Sequence, residues 1–119
     1  MNNTSREFSY VEERFADIQL LRYRLDGFEQ LSLEQKTYIY YLAEATLCGR
    51  DITFDQFGKY NILIRRVLEA IITAPHVCHD TPDFKALEVY LKRVWFSNGI
   101  HHHYGQEKFV PDFSKDYFT

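Results

Sequence analysis

The most apolar segment of this sequence, from about Tyr60 to Thr73, carries its large aliphatic residues at the spacing of an α-helix. Residues three and four positions apart lie on one helix face, and the stripe here consists of Ile64, Val67, Leu68, Ile71 and Ile72. Ala74-Pro75 ends the segment, because the residue before a proline disfavours helical backbone. A chain with so wide an apolar stripe has to pack one side of a long helix against other elements.

A second helix is predicted from its capping residues. Ser32 and Gln35 have the spacing of a capping box, and the apolar run after them extends to about Leu47 or Cys48. Gly49 fits a C-terminal cap. Because tyrosines occupy several sides of this helix, we expect it to be covered on more than one face.

A third helix is predicted to start at Thr81-Pro82, where Thr81 is the N-cap and Pro82 the first helical residue. Asn98-Gly99 stops it. Its expected buried face consists of Phe84, Leu87, Leu91, Val94 and Trp95. Residues 100–105 follow as an irregular loop rich in histidine, and residues 108–111 as an extended segment.

The N-terminal part is less sharply marked. Ser9 and Glu12 have the form of a capping box, which predicts a helix from about Tyr10. From Gln19 onward apolar and charged residues alternate, which fits an extended segment as well as a helix. Periodicity alone does not decide between these two structures. Residues 50–58 carry turn formers and are predicted to be a loop. The fold class is therefore mainly α, with about four helices in one helical domain spanning residues 1–119.

Charge and hydropathy exclude several classes of function. The net charge is −3, the pI is about 5.9, and acidic and basic residues are interspersed. A nucleic-acid-binding protein is expected to have a basic stripe, so we expect no nucleic acid partner. No apolar run approaches the ~20 residues that span a bilayer, so we expect no membrane partner. Residues 1–7 lack an apolar signal segment, which predicts a cytoplasmic protein, although an exported parent with its signal removed stays open.

No catalytic or metal-binding motif is present. The adjacent side chains of His101, His102 and His103 point in different directions, and the spacing of residues 76–79 (HVCH) matches no closed four-ligand zinc site. The two cysteines, Cys48 and Cys78, are expected to be free thiols. We therefore predict no metal ligand and no catalytic residue in this chain.

Two blocks of the sequence form a recognisable pattern. The first block is FEQLS at residues 28–32, followed by YIYYL at 38–42. The second, more specific block is FSNGIHHHYG at residues 96–105, closed by KFVP at 108–111. Together they resemble the N-terminal portion of the dipeptidyl peptidase III family, the zinc metallopeptidases of family M49, in its bacterial, Bacteroides-like branch. The resemblance covers most of the chain from Phe28 onward.

The resemblance implies a parent enzyme that releases dipeptides from peptide N-termini, using zinc held by a His-Glu-x-x-x-His type motif and a further Glu. None of those residues is present here, so the chain is expected to be an inactive N-terminal fragment whose partners are the peptide substrate and the remainder of the peptidase. It also implies that the substrate-binding residues are Asn98, Gly99, His103 and Tyr104, with Tyr104 shaping the pocket for the peptide's first residues. The alternative is a stand-alone helical protein-interaction module without enzymatic activity.

Overall fold

The structure, a computed structural model, describes residues 8–118 and is mainly helical, which confirms the predicted fold class. A two-stranded antiparallel hairpin comes first, followed by a short 3₁₀ turn and the helices. In chain order the elements are β1 (Val11–Phe15), β2 (Ile18–Leu21), the 3₁₀ turn (Phe28–Gln30), α1 (Leu33–Cys48), α2 (Arg50–Phe57), α3 (Asn61–Thr73), α4 (Pro82–Ser97) and α5 (Lys115–Phe118).

The core lies between α2, α3 and α4. Its central residues are large apolar side chains that are almost completely buried: Phe54, Leu68, Leu87, Leu91 and Val94. The expected buried face of α4 is confirmed at Phe84 as well, but the inclusion of Trp95 was wrong, because this side chain is 44% exposed. Its indole Nε1 donates a hydrogen bond of 2.8 Å to Glu69 Oε1, so Trp95 covers the helices from outside rather than filling the core.

The predicted ends of α1 and α4 are confirmed at their caps. Ser32 Oγ accepts from the backbone N–H of Gln35 at 3.2 Å, and Gln35 Oε1 accepts from the backbone N–H of Ser32 at 2.9 Å. Thr81 Oγ1 accepts from the backbone N–H of Phe84 at 3.1 Å. Asn98 ends α4 in the left-handed conformation, with φ of 55°. The side chains of Ser32, Gln35 and Thr81 thus satisfy backbone N–H groups that a helix start leaves unpaired.

The predicted helix from Tyr10 was wrong, because residues 11–21 form the β1–β2 hairpin. Ser9 Oγ donates to the carbonyl of Val11 instead of capping a helix. Phe15 and Ile18 flank the turn as a cross-strand pair, and both are buried. Lys92 and Arg93 of α4 bind carboxylates of the hairpin, so tertiary contacts outweigh the local helical pattern.

Two other expectations were also wrong. Residues 50–57 form α2 rather than a loop: Asp51 lies in its first turn and pairs with Arg65 at 2.8 Å, while Phe54 enters the core. The expected covering of α1 on several faces is not found within the described residues, since no residue of α1 is buried. Its strongest contact with another element is with α2.

The hairpin turn gives a test of local backbone strain. Ala16 has φ of 50°, a region in which a Cβ costs about 1 kcal/mol. We expect Ala16→Gly to raise the free energy of unfolding by up to ~1 kcal/mol in urea denaturation. Ala43→Gly, in the exposed helix α1, is the control and should lower it by about 1 kcal/mol. A destabilising Ala16→Gly would show that the turn does not have this geometry.

Candidate functional site

The segment after α4 forms a hydrogen-bonded loop that projects from the end of the helix. At its base the backbone N–H of Phe109 donates to the carbonyl of Ile100 at 2.8 Å, and that of His102 donates to Glu107 at the same distance. At its tip the N–H of Gly105 donates to the carbonyl of His102 at 3.0 Å. The predicted irregular loop is therefore a short, well-paired turn with a defined tip.

Asn61, the first residue of α3, holds the base of this loop. Its side chain is 2% exposed and its Nδ2 donates to the carbonyl of Asn98 at 3.5 Å. Gly58 and Gly99 lie against it, and a Cβ on Gly58 would come within 3.0 Å of Nδ2. Both positions therefore need glycine for close approach. Sequence reasoning missed Asn61, because its contacts with Asn98 and Gly99 join residues that are far apart in the sequence.

An aromatic cluster occupies the tip. The His103 ring packs edge-on against Phe96 with centroids 5.0 Å apart, stacks on His102 at 4.4 Å, and meets Tyr104 at 4.1 Å. Tyr104 is 89% exposed, although its ring is held on one side by His103. The arrangement presents an aromatic face to the outside, against which an apolar ligand group can pack.

His102 connects the loop to the hairpin. Its Nε2 lies 3.4 Å from Asp17 Oδ2, and the other carboxylate oxygen of Asp17 accepts from Arg93 Nη2 at 2.8 Å. A hydrogen bond from its own backbone lowers the pKa of Asp17, and Arg93 and His102 lower it further against the opposing effect of desolvation. Asp17 is therefore an anion that holds both α4 and the loop.

Two concave regions lie beside the loop. A cleft of about 560 Å³ is lined by Gln56, Phe57, His101, Gly105 and Gln106. A second cavity, of about 530 Å³, contains a charged network at its wall: Arg65 pairs with Asp51 at 2.8 Å and with Glu69 at 3.5 Å. The Arg65 guanidinium beside Asp51 lowers the pKa of that carboxyl.

The structure places the four predicted substrate-binding residues in different surroundings. His103 and Tyr104 are in ring contact at the loop tip. Gly99 is buried against Asn61, so only its backbone can have a role there. Asn98 lines the charged cavity together with Arg65 and other residues. The four residues therefore do not line one pocket: His103 and Tyr104 lie at the loop tip, whereas Asn98 faces the charged cavity.

The histidines and cysteines do not converge. Within residues 8–118, no three His, Cys, Asp or Glu side chains come together in a way that could hold a metal ion. His79 stacks on Phe84, with centroids 4.3 Å apart. Cys48 and Cys78 are free and exposed, as the sequence predicts.

The helix α1 leaves a large apolar surface uncovered. Its exposed side chains include Leu33, Tyr38, Ile39, Tyr40, Tyr41, Leu42 and Leu47. The radius of gyration is 18.6 Å, whereas a compact domain of this length has one of about 13 Å. Such a surface is typical of a helix that packs against further protein. In the described part of the chain, every helix is too short or too polar to cross a bilayer.

The chain matches no family model and no curated protein.

Proposed function

We propose that this chain forms an N-terminal part of the substrate cleft of a zinc-dependent dipeptidyl peptidase, in which the zinc site belongs to the remainder of the enzyme. The sequence resemblance at residues 96–111 motivates the proposal. The observation that carries it is the position of Tyr104, an exposed aromatic side chain at the tip of a hydrogen-bonded loop whose residues Gly105 and His101 line a cleft.

The chemistry of the loop suits the binding of a peptide end. Tyr104 and His103 supply an aromatic wall for an apolar side chain of the substrate. Backbone groups and Gln106 supply polar contacts beside it. In the complete enzyme, zinc would activate the attacking water and polarise the scissile carbonyl. This chain's own part is to bind and orient the peptide.

The uncovered helix α1 supports the same proposal. A helix that is apolar on several sides and touches little else is stabilised when more protein surrounds it. In the proposed peptidase that protein is the remainder of the enzyme, and α1 joins its core. The isolated chain with added zinc is then expected to release no dipeptide from any peptide substrate.

Kinetics of a longer protein expressed from the same reading frame test the role of Tyr104. We expect Tyr104→Ala to lower kcat/KM for a dipeptidyl substrate roughly tenfold, because a lost contact of ~1.4 kcal/mol corresponds to that factor. Tyr23→Ala is the matched control, since Tyr23 is also an exposed tyrosine, at 75%, and lies outside the loop. Equal kcat/KM for Tyr104→Ala and the unmodified protein would contradict the proposed wall.

The exposed surface of α1 also favours the second candidate, a stand-alone helical protein-interaction module without enzymatic activity. The two candidates differ in how the isolated chain behaves. A module is expected to be a stable monomer or dimer with a sharp thermal transition. A part of a larger enzyme is expected to associate through α1 with no fixed stoichiometry. Size-exclusion chromatography with light scattering, followed by thermal melting, distinguishes them.

A further inference from the structure

A hydrogen bond to the His102 ring sets the tautomer of the neutral imidazole in this arrangement. Its Nδ1 accepts a hydrogen bond from the backbone N–H of Tyr104 at 3.2 Å. A nitrogen that accepts carries no proton, so the neutral ring holds its proton on Nε2. That N–H faces the Asp17 carboxylate at 3.4 Å. One imidazole therefore connects the hairpin on one side with the amide of Tyr104 on the other.

We infer that His102 is a positioning residue for Tyr104 and that its protonation releases the Tyr104 amide. A second proton on the ring can only be added at Nδ1, which then becomes a donor facing the donor N–H of Tyr104. At the same time the charged ring is drawn more strongly to Asp17. The loop tip loses its side-chain acceptor, while the link to the hairpin becomes stronger. The inference rests on the proposed function only in treating Tyr104 as the peptide-contacting residue.

The groups around His102 are compatible with this change. Asp17, in the hairpin turn, is the carboxylate that faces the ring, and a hydrogen bond from its own backbone lowers its pKa. Arg93 of α4 shares that carboxylate and opposes a second positive charge. His103 stacks on the ring and is itself titratable. Phe109 lies edge-on to it at 6.0 Å and is uncharged.

The geometry suggests a variant that keeps a side-chain hydrogen-bond acceptor at residue 102 but cannot take up a proton there. The bond from residue 104 back to the side chain of residue 102 has the same spacing as an Asx turn, in which an Asn side-chain oxygen accepts from the N–H two residues later. His102→Asn can therefore keep the acceptor and cannot be protonated. His102→Leu removes both. His103→Phe keeps an aromatic ring beside His102 and removes the other titratable group.

Nuclear magnetic resonance of the isotopically labelled chain tests the inference between pH 5 and pH 8. We expect the chemical shift of the Tyr104 amide proton to move upfield as pH falls. The midpoint of this change should coincide with that of the chemical shifts of the His102 ring protons. This pH-dependent step in the Tyr104 amide shift should persist in His103→Phe and be absent in His102→Asn. His102→Leu should hold the upfield position at every pH.

Two results would overturn the inference: a Tyr104 amide signal that does not respond to pH, or a step of the same size in His102→Asn. The measurement follows the loop itself and needs no substrate. Its failure is therefore separate from failure of the proposed function, which the kinetics of Tyr104→Ala test.

Discussion

Gly99→Ala is expected to destabilise this protein by about 2–4 kcal/mol, because the new methyl group would overlap a buried side chain. An added Cβ would collide with Nδ2 of Asn61 and lie 2.8 Å from its Cγ. Asn61 has little room to move, since it is 2% exposed and Gly58 also lies against it. The φ of 157° at Gly99 adds strain for any residue with a side chain. Urea denaturation measures the loss.

Two further variants identify the cause of that loss. Gly105→Ala is the matched control, because its nearest neighbour would be 4.0 Å from the new Cβ, and we expect a change within about 0.5 kcal/mol. In the double variant with Asn61→Ala the collision is removed, so the added cost of Gly99→Ala should fall to about 1 kcal/mol, the part due to φ. A fully additive double variant would mean that Asn61 is not the obstacle.

Leu91→Ala is expected to cost about 2–5 kcal/mol, the range for a large aliphatic residue removed from a packed core. Leu91 is fully buried in α4, in the same cluster as Leu68 and Leu87. The lost apolar contacts and the remaining cavity both destabilise the folded state. Urea denaturation is again the measurement, with the midpoint and the slope fitted together.

Leu33→Ala provides the comparison with the same chemistry outside the core. Leu33 lies at the start of α1 and is 80% exposed, so its replacement should change the free energy of unfolding by less than about 0.5 kcal/mol. Measured on the monomeric chain, equal losses for the two leucine variants would mean that α1 is packed within the chain and that the uncovered surface described above does not exist.

The helices were predictable from sequence where side chains determine the backbone locally. The capping box at Ser32, the N-cap at Thr81 and the left-handed end at Asn98 each act within a few residues. The aliphatic stripe of α3 needs only its spacing. These features define three of the helices and place the start of the loop.

The hairpin and α2 were not predictable in the same way, because distant residues stabilise them. The hairpin depends on Lys92 and Arg93 of α4, more than 70 positions along the chain, and α2 depends on Arg65. In the candidate site, the resemblance of residues 96–105 to a known family implied Asn98, Gly99, His103 and Tyr104 as binding residues. It did not indicate Asn61 or Asp17, since their roles arise only where α3 and the hairpin approach the loop.

The reading frame that encodes this chain gives the most direct test of the central claim, that the chain is a cleft-forming part of a zinc dipeptidyl peptidase. Sequencing the transcript beyond the codon for Thr119 is expected to show an uninterrupted frame with a His-Glu-x-x-x-His type motif and a further Glu downstream. A natural stop codon directly after Thr119, with no such motif following, would contradict the claim and leave the interaction module as the better account.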